Sequence, residues 1–237
     1  MTTCPGMTRA LTFATIWMLA VISECQADGT VALDGCAIVV DPAQTSFVQY
    51  AVEELSSYLE HATGREVPIA HTDESGAPTR IAVGPETAQR VLGDLFPAAK
   101  LGKEGYLLKS LFQDGVLWIV ASGATPHGTK NALSALIKTI CIVDDSASIP
   151  AALDRLGKPA YAVRGVHFNG WPLNYPYSFR SWREADWQRY LDLLSYQSVN
   201  LFYLWPFVEI MPVPFSAEDQ AYLEECRRLI DYAQTKH

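Results

Sequence analysis

The chain has 237 residues, of which 49% are hydrophobic and 19% are charged, and these proportions suit one or two packed domains. Its formal net charge is −8 and it has no long basic run, which argues against nucleic acid or an anionic membrane as the main partner. The five cysteines fit neither a metal-ligand pattern nor a disulfide framework, so we expect no metal and no cofactor.

The first residues have the pattern of an export signal. Arg9 precedes an apolar run over residues 10–22 (ALTFATIWMLAVI), and the small residue Ala27 follows a short polar stretch. This order is typical of a secretory signal peptide, and the run is short for a membrane span. We therefore predict a signal peptide over residues 1–27 and a secreted or periplasmic product that is free of the membrane after cleavage. A lipoprotein site at Cys25 and an uncleaved anchor are the alternatives.

An α/β accessory domain is predicted over residues 28–145, because strand and helix patterns alternate there. We expect its sheet to carry helices on one face. Asp34-Gly35 splits two short strands, and Asp114-Gly115 indicates a hairpin. The predicted elements are two strands within 30–42, a helix over 44–62, strands at 67–70 and 80–83, a helix over 86–96, strands at 104–111 and 116–121, and a helix through residues 132–140.

Residues 146–163 are rich in Ala, Ser and Pro and are predicted to be a linker with a short strand. The pattern then restarts, with strands at 164–169 and 200–205 and helices that begin at Ser181 and Ser216. Two strand–helix units cannot close a parallel sheet, whereas an eightfold barrel needs about 250 residues. We therefore predict that residues 164–237 are the first two βα units of a TIM-type (β/α)8 barrel that stops before completion. The alternative is a segment that packs onto the first domain as one compact α/β protein.

The first domain resembles a known accessory domain. The stretches GYLL, from Gly105, and DGVLWIVASGATPHGTKNALSALI, from Asp114, are similar to the domain that precedes the catalytic barrel in family 20 β-hexosaminidases and family 67 α-glucuronidases. AVEELSSYLEHATGREVPI and TRIAVGP resemble the first helix and middle strands of the same domain. The resemblance covers about residues 30–145 and implies a glycosidase that acts on O-glycosidic bonds.

The barrel start is similar to family 20 as well. Arg164-Gly165 matches an Arg-Gly pair that opens the first strand, and the resemblance implies that Arg164 binds sugar hydroxyls. Asn200 matches the Asn that opens the second strand. The chain departs from the family at Gly170-Trp171 and lacks the paired histidines after Tyr203. These departures favour a relative closer to the α-glucuronidases over a hexosaminidase. The family's catalytic Asp-Glu pair follows the fourth strand, so no catalytic residue is assigned.

Aromatic residues are dense where the predicted barrel strands end, and sugar rings stack on aromatic faces. Trp171 and Trp205 follow strands and are predicted to be sugar platforms, with packing at the barrel mouth as the alternative. Asn169 is a candidate for a hydrogen bond to a sugar hydroxyl. His167 is expected in the core, with a ligand contact as the alternative, and Glu209 is expected to be a solvated loop charge.

The predicted function is the N-terminal part of a secreted glycoside hydrolase whose catalytic acids lie outside this chain, with a carbohydrate as its partner. The alternative is a non-catalytic carbohydrate-binding protein. A weaker third hypothesis is nucleotide binding, since residues 123–130 (GATPHGTK) lie between a strand and a helix like a phosphate loop. Thr129 and Lys130 are in the wrong order for that motif. The oligomeric state cannot be predicted from the sequence.

Overall fold

The computed structural model describes residues 29–169, 182–206 and 208–236, so the predicted signal peptide and Trp171 lie outside the described residues. Within these ranges the strands are β1 (Thr30–Ala32), β2 (Ala37–Val40), β3 (Ile69–Ala70), β4 (Thr79–Val83), β5 (Tyr106–Gln113), β6 (Val116–Gly123), β7 (Cys141–Val143), β8 (Ser146–Pro150), β9 (Asp154–Gly157), β10 (Gly165–Asn169) and β11 (Leu201–Trp205). The helices are α1 (Ser46–Thr63), α2 (Pro85–Leu92), α3 (Ala98–Leu101), α4 (Pro126–Ile137), α5 (Glu184–Tyr196) and α6 (Ala217–Gln234). Two 3-10 turns lie at Gly93–Leu95 and Val208–Ile210.

The first unit is built on a mixed sheet in the order β3-β2-β4-β6-β5-β9. β3, β2, β4 and β6 are parallel, whereas β5 is antiparallel to both β6 and β9. A smaller antiparallel sheet has the order β1-β8-β7. The stretch predicted as a linker therefore carries two strands, β8 and β9, and both pair with strands of the first unit.

Helices cover both faces of the mixed sheet, so the prediction of helices on one face is wrong. On one face, α1 and α4 pack against strand residues such as Ile38 and Ile119. On the other face, α2 and α3 pack against the next residue of each strand, Val39 and Val120. The physical reason is visible in β2, whose four residues are all buried and apolar (AIVV). A continuous apolar run is typical of a strand that is buried on both faces.

The second unit consists of β10, α5, β11 and α6, as the periodicity predicts. β10 and β11 run parallel, with Gly165 opposite Leu201 and Asn169 opposite Trp205. Trp187 on α5 is fully buried against α6 and one face of this pair. Among the described residues, β10 and β11 pair only with each other and do not join the sheets of the first unit.

The starts of the last two helices follow two different patterns. Ser216 caps α6, because its side chain accepts a hydrogen bond from the backbone N–H of Asp219, as predicted. Helix α5 begins later than predicted, at Glu184, and Arg183 is its N-cap residue. The carboxylate of Asp186 accepts a hydrogen bond from the backbone N–H of Arg183 at 3.2 Å. An acidic residue in the first turn also interacts favourably with the helix dipole.

Cys36 and Cys226 are buried and form no disulfide. Cys141 is disulfide-bonded, which differs from the sequence-based expectation that no disulfide forms. In the described part of the chain, no helix combines the length and the apolar character needed to cross a bilayer.

Candidate functional site

One face of the β10–β11 pair is packed and the other is exposed. Phe168, Phe202 and Leu204 contact the core of α5 and α6. The alternate residues point the other way because side chains alternate along a strand. Leu201, Tyr203 and Trp205 are 49%, 55% and 40% exposed. We refer to the side that carries His167, Leu201, Tyr203 and Trp205 as the open face.

The open face carries three aromatic rings close to one another. The rings of His167 and Tyr203 meet edge to face, with centroids 4.8 Å apart. The rings of His167 and Trp205 lie 6.4 Å apart with an angle of only 20° between their planes. His167 is exposed, so the expectation that it lies in the core is wrong for the described chain. Its register position, opposite Tyr203, places it on the open face.

Trp205 is held at the carboxyl end of β11 by a residue four positions later. The turn Val208–Ile210 brings Glu209 back towards the strand, and the indole Nε1–H of Trp205 donates to Oε1 of Glu209 at 2.9 Å. Glu209 is therefore more than a solvated loop charge. No periodic pattern in the sequence indicates this contact, because Trp205 belongs to a strand and Glu209 to the turn that follows it.

The predicted sugar-binding residues do not all come together. Asn169 occupies the register position opposite Trp205, at the carboxyl end of the strand pair. Trp171 lies outside the described residues. Arg164 precedes β10 and is therefore at the amino end, separated from Trp205 by the length of a five-residue strand, roughly 16 Å.

The guanidinium of Arg164 is occupied by contacts within the chain. Its Nη1 and Nη2 donate to the two carboxylate oxygens of Glu104 at 3.0 and 2.9 Å. Nη1 also donates to the carbonyl of Tyr161, and Nε donates to the carbonyl of Ser198. The hydrogen bonds from Arg164 hold the pKa of Glu104 below its usual range. Arg164 thus joins the two units through a bidentate ion pair.

Asn200 belongs to the same junction. Its Nδ2 donates to the carbonyl of Ala162 at 2.8 Å, and its Oδ1 accepts from the backbone N–H of Arg164 at 2.9 Å. Arg164 and Asn200, which the family resemblance singled out, therefore both bond to Glu104 and to backbone carbonyl groups of the segment before β10. This geometry accounts for them without a sugar.

The glycines of the family-like motif have a packing role. A Cβ atom on Gly128 would lie 2.4 Å from the carbonyl oxygen of Gly105, and one on Gly123 would lie 2.3 Å from the carbonyl carbon of Gly128. These three residues let α4 approach β5 and β6 at backbone distance. Thr125 caps α4 by accepting from the backbone N–H of Gly128. The loop is therefore closed by its own glycines and its cap, which argues against a phosphate site.

Lys130 is a buried lysine that the sequence analysis did not single out. It lies on α4 and is only 5% exposed. Burial lowers its pKa to about 7, and the charges of Glu54 and Glu104 oppose that shift. A second buried lysine, Lys236, pairs with Asp192 at 3.1 Å and lies over the ring of Tyr50. These charges lie where α1 and α4 of the first unit meet α5 and α6 of the second.

An apolar groove of 480 Å³ lies along β11 between α5 and α6. Its walls include Phe202 and Leu204 from the strand and Leu229, Ile230 and Ala233 from α6. Among the described residues β11 has no strand on this side. The described residues contain no cluster of three or more His, Cys, Asp or Glu side chains suited to a metal ion.

No protein-family model and no curated protein matches the sequence. Solved structures do match the fold. The GH20 chitobiase of Flavobacterium johnsoniae is 16% identical with a TM-score of 0.55, and the match covers 88% of this chain and 31% of that one. The GH115 4-O-methyl-α-glucuronidase BtGH115A, described as specific for decorated arabinogalactans, is 17% identical with a TM-score of 0.55, over 76% and 27% of the two chains. The GH84 protein CpGH84B is 12% identical with a TM-score of 0.57, over 89% and 33%.

The chain spans about a third or less of the length of these structures. At such low identity the likeness concerns the fold alone. The structural neighbours of this mixed α/β chain are glycoside hydrolases, and its fold is glycoside hydrolase-like.

Proposed function

We propose that this chain is the N-terminal part of an exported glycoside hydrolase that acts on O-glycosidic bonds of oligo- or polysaccharides. In this proposal residues 164–237 are the opening of a (β/α)8 barrel whose catalytic acids lie outside the chain. The open face is the main observation that supports this proposal. Helices cover the other side of the β10–β11 pair, whereas apolar and aromatic side chains are exposed on the open face. In a closed barrel this face points inwards and is packed.

The groove along β11 supports the same proposal. A third parallel strand placed beside β11 would cover Phe202 and Leu204 and would pair with the free edge of the strand. Each strand of the unit is followed by a helix on the same side, which is the repeat of a (β/α) barrel. The solved glycosidases with this fold are at least three times as long as the matched region.

The carboxylates of the open face are too few for hydrolysis. Glycosidases normally use two carboxyl groups, about 5–10 Å apart. Among the described residues, Glu209 is the single carboxylate in the loop between β11 and α6. Its contact with Trp205 suits binding better than proton transfer. We therefore expect the purified chain to show no turnover of aryl-glycosides, and measurable turnover would contradict this part of the proposal.

Substrate contact is assigned to the carboxyl ends of the strands, at Trp205, Asn169 and the neighbouring Trp171. Parallel barrels place their sites at these ends, and Trp205 is the last residue of β11. Arg164 was expected to join them, but its bonds to Glu104 make it a junction residue in this proposal.

A titration tests the assignment of Trp205. We expect the exported chain to bind chitotetraose or an aldotetraouronic acid, measured by calorimetry or by chemical-shift changes. Trp205→Ala is expected to weaken binding about tenfold, because an aromatic contact contributes roughly 1.4 kcal/mol. Phe112→Ala is the matched control, since Phe112 is an exposed aromatic residue of the first unit. Unchanged binding in Trp205→Ala, or equal weakening in both variants, would contradict the assignment.

The second candidate is a non-catalytic carbohydrate-binding protein. The aromatic open face favours it as well, since stacking needs no carboxylate pair. The coding sequence after His237 separates the two: paired Asp or Glu residues at later strand ends support the hydrolase, and their absence supports the binding protein.

A further inference from the structure

Trp205 is an exposed aromatic residue whose ring is held by a hydrogen bond within the chain. It ends a strand, and its indole N–H, the only hydrogen-bond donor of a tryptophan side chain, is directed at Oε1 of Glu209. A bond to an ionised acceptor is roughly twice as strong as one between neutral groups. The contact therefore restricts rotation of the indole about its bond to Cβ.

A fixed ring is what a stacking site requires. An exposed tryptophan that rotates freely must lose that freedom when a sugar covers it, at a cost of about 0.5–1.5 kcal/mol for each side chain immobilised. In this chain the ring plane of Trp205 is already within 20° of that of His167. The two rings are stacked with their centroids 6.4 Å apart, so His167 helps to hold the indole in one orientation before any ligand arrives.

We propose that Glu209 is a positioning residue for carbohydrate binding: it fixes the indole of Trp205 so that the ring is ready to stack on the apolar face of a sugar. The inference rests on the proposed function, because it assumes that a carbohydrate binds at Trp205. It assigns to Glu209 a role in orientation, not in proton transfer.

Two variants of Glu209 separate its hydrogen bond from its charge. Glu209→Ala removes the acceptor, whereas Glu209→Gln keeps an acceptor oxygen and removes the charge. Glu74→Ala is the control for net charge, since Glu74 is exposed in the first unit. The first readout is the indole N–H resonance of Trp205, assigned by its loss in Trp205→Phe, together with its hydrogen-exchange rate. The second is the affinity for chitotetraose or the aldotetraouronic acid.

We expect Glu209→Ala to shift the Trp205 indole resonance, to accelerate its exchange and to weaken sugar binding roughly two- to tenfold. Glu209→Gln is expected to restore most of both properties, and Glu74→Ala to change neither. An unmoved resonance in Glu209→Ala, an unchanged affinity despite a moved resonance, or a failure of Gln to rescue would each overturn the proposal. If the unaltered chain binds neither sugar while the resonance moves, the proposed function fails and the binding role of Glu209 fails with it, although the contact with Trp205 stands.

Discussion

Replacing Arg164 by Met removes the ion pair that joins the two units. Arg164 and Glu104 are each 18% exposed at the side chain and meet through two hydrogen bonds of 3.0 and 2.9 Å. Loss of one partner of a buried pair costs about 3–5 kcal/mol. Because this pair is partly exposed, we expect the free energy of unfolding to fall by about 2–3 kcal/mol in Arg164→Met.

Equilibrium unfolding in urea measures this loss, and a double-mutant cycle with Glu104→Gln isolates the pairwise part. We expect a coupling energy of about 1–2 kcal/mol. The matched control is the pair of Lys109 and Asp154, whose carboxylate side is 67% exposed, and its cycle should give less than about 1 kcal/mol.

The same pair gives a pH dependence with a definite sign. The hydrogen bonds from Arg164 lower the pKa of Glu104 in the folded state. The stability that Glu104 contributes is therefore present above the ordinary pKa of glutamate, about 4.3, and is lost as the pH falls through the lowered value. This acid-dependent part should vanish in Arg164→Met. If Arg164→Met keeps the stability of the unaltered chain but loses sugar binding, the structural role of Arg164 is refuted and a role in sugar binding is supported.

Two further substitutions test the interior. Gly128→Ala places a Cβ 2.4 Å from the backbone oxygen of Gly105 and should lower the free energy of unfolding, measured by heat or urea, by about 3 kcal/mol. In Gly165→Ala the new Cβ meets only the side chain of Leu201, at 3.1 Å, and the loss should stay below about 1 kcal/mol. Equal losses in the two variants would contradict the packing argument. Burial lowers the pKa of Lys130 to about 7, so the unfolded chain binds more protons between pH 7 and about 10 and stability should rise with pH across that interval. Lys130→Met should flatten this rise when the free energy of unfolding in urea is measured at several pH values. An unchanged dependence on pH would contradict the lowered pKa of Lys130.

Local patterns in the sequence determined most of the elements. The period of apolar residues predicts α1, α4, α5 and α6. The bounds of α1 and the start of α6 lie within two residues of the prediction, whereas α4 begins and ends earlier and α5 begins later than predicted. Ser216, at which a helix is predicted to begin, is the N-cap residue of α6. Trp187 lies on the apolar face of α5 and is fully buried. These features succeed because they depend on contacts between residues a few positions apart.

Other features depend on residues that are distant in the chain, and only the tertiary structure decided them. An arginine can bind either a sugar hydroxyl or a carboxylate, so the sequence around Arg164 does not identify its partner. That partner, Glu104, lies 60 positions earlier in the chain. His167 was expected in the core because it lies within a strand, but its exposure depends on what covers the other face of β10. The helices on both faces of the mixed sheet follow from the order in which the strands pair. Short-range periodicity thus fixes which residues form strands and helices, whereas the pairing of surfaces far apart in sequence decides which side chains remain free to bind a ligand.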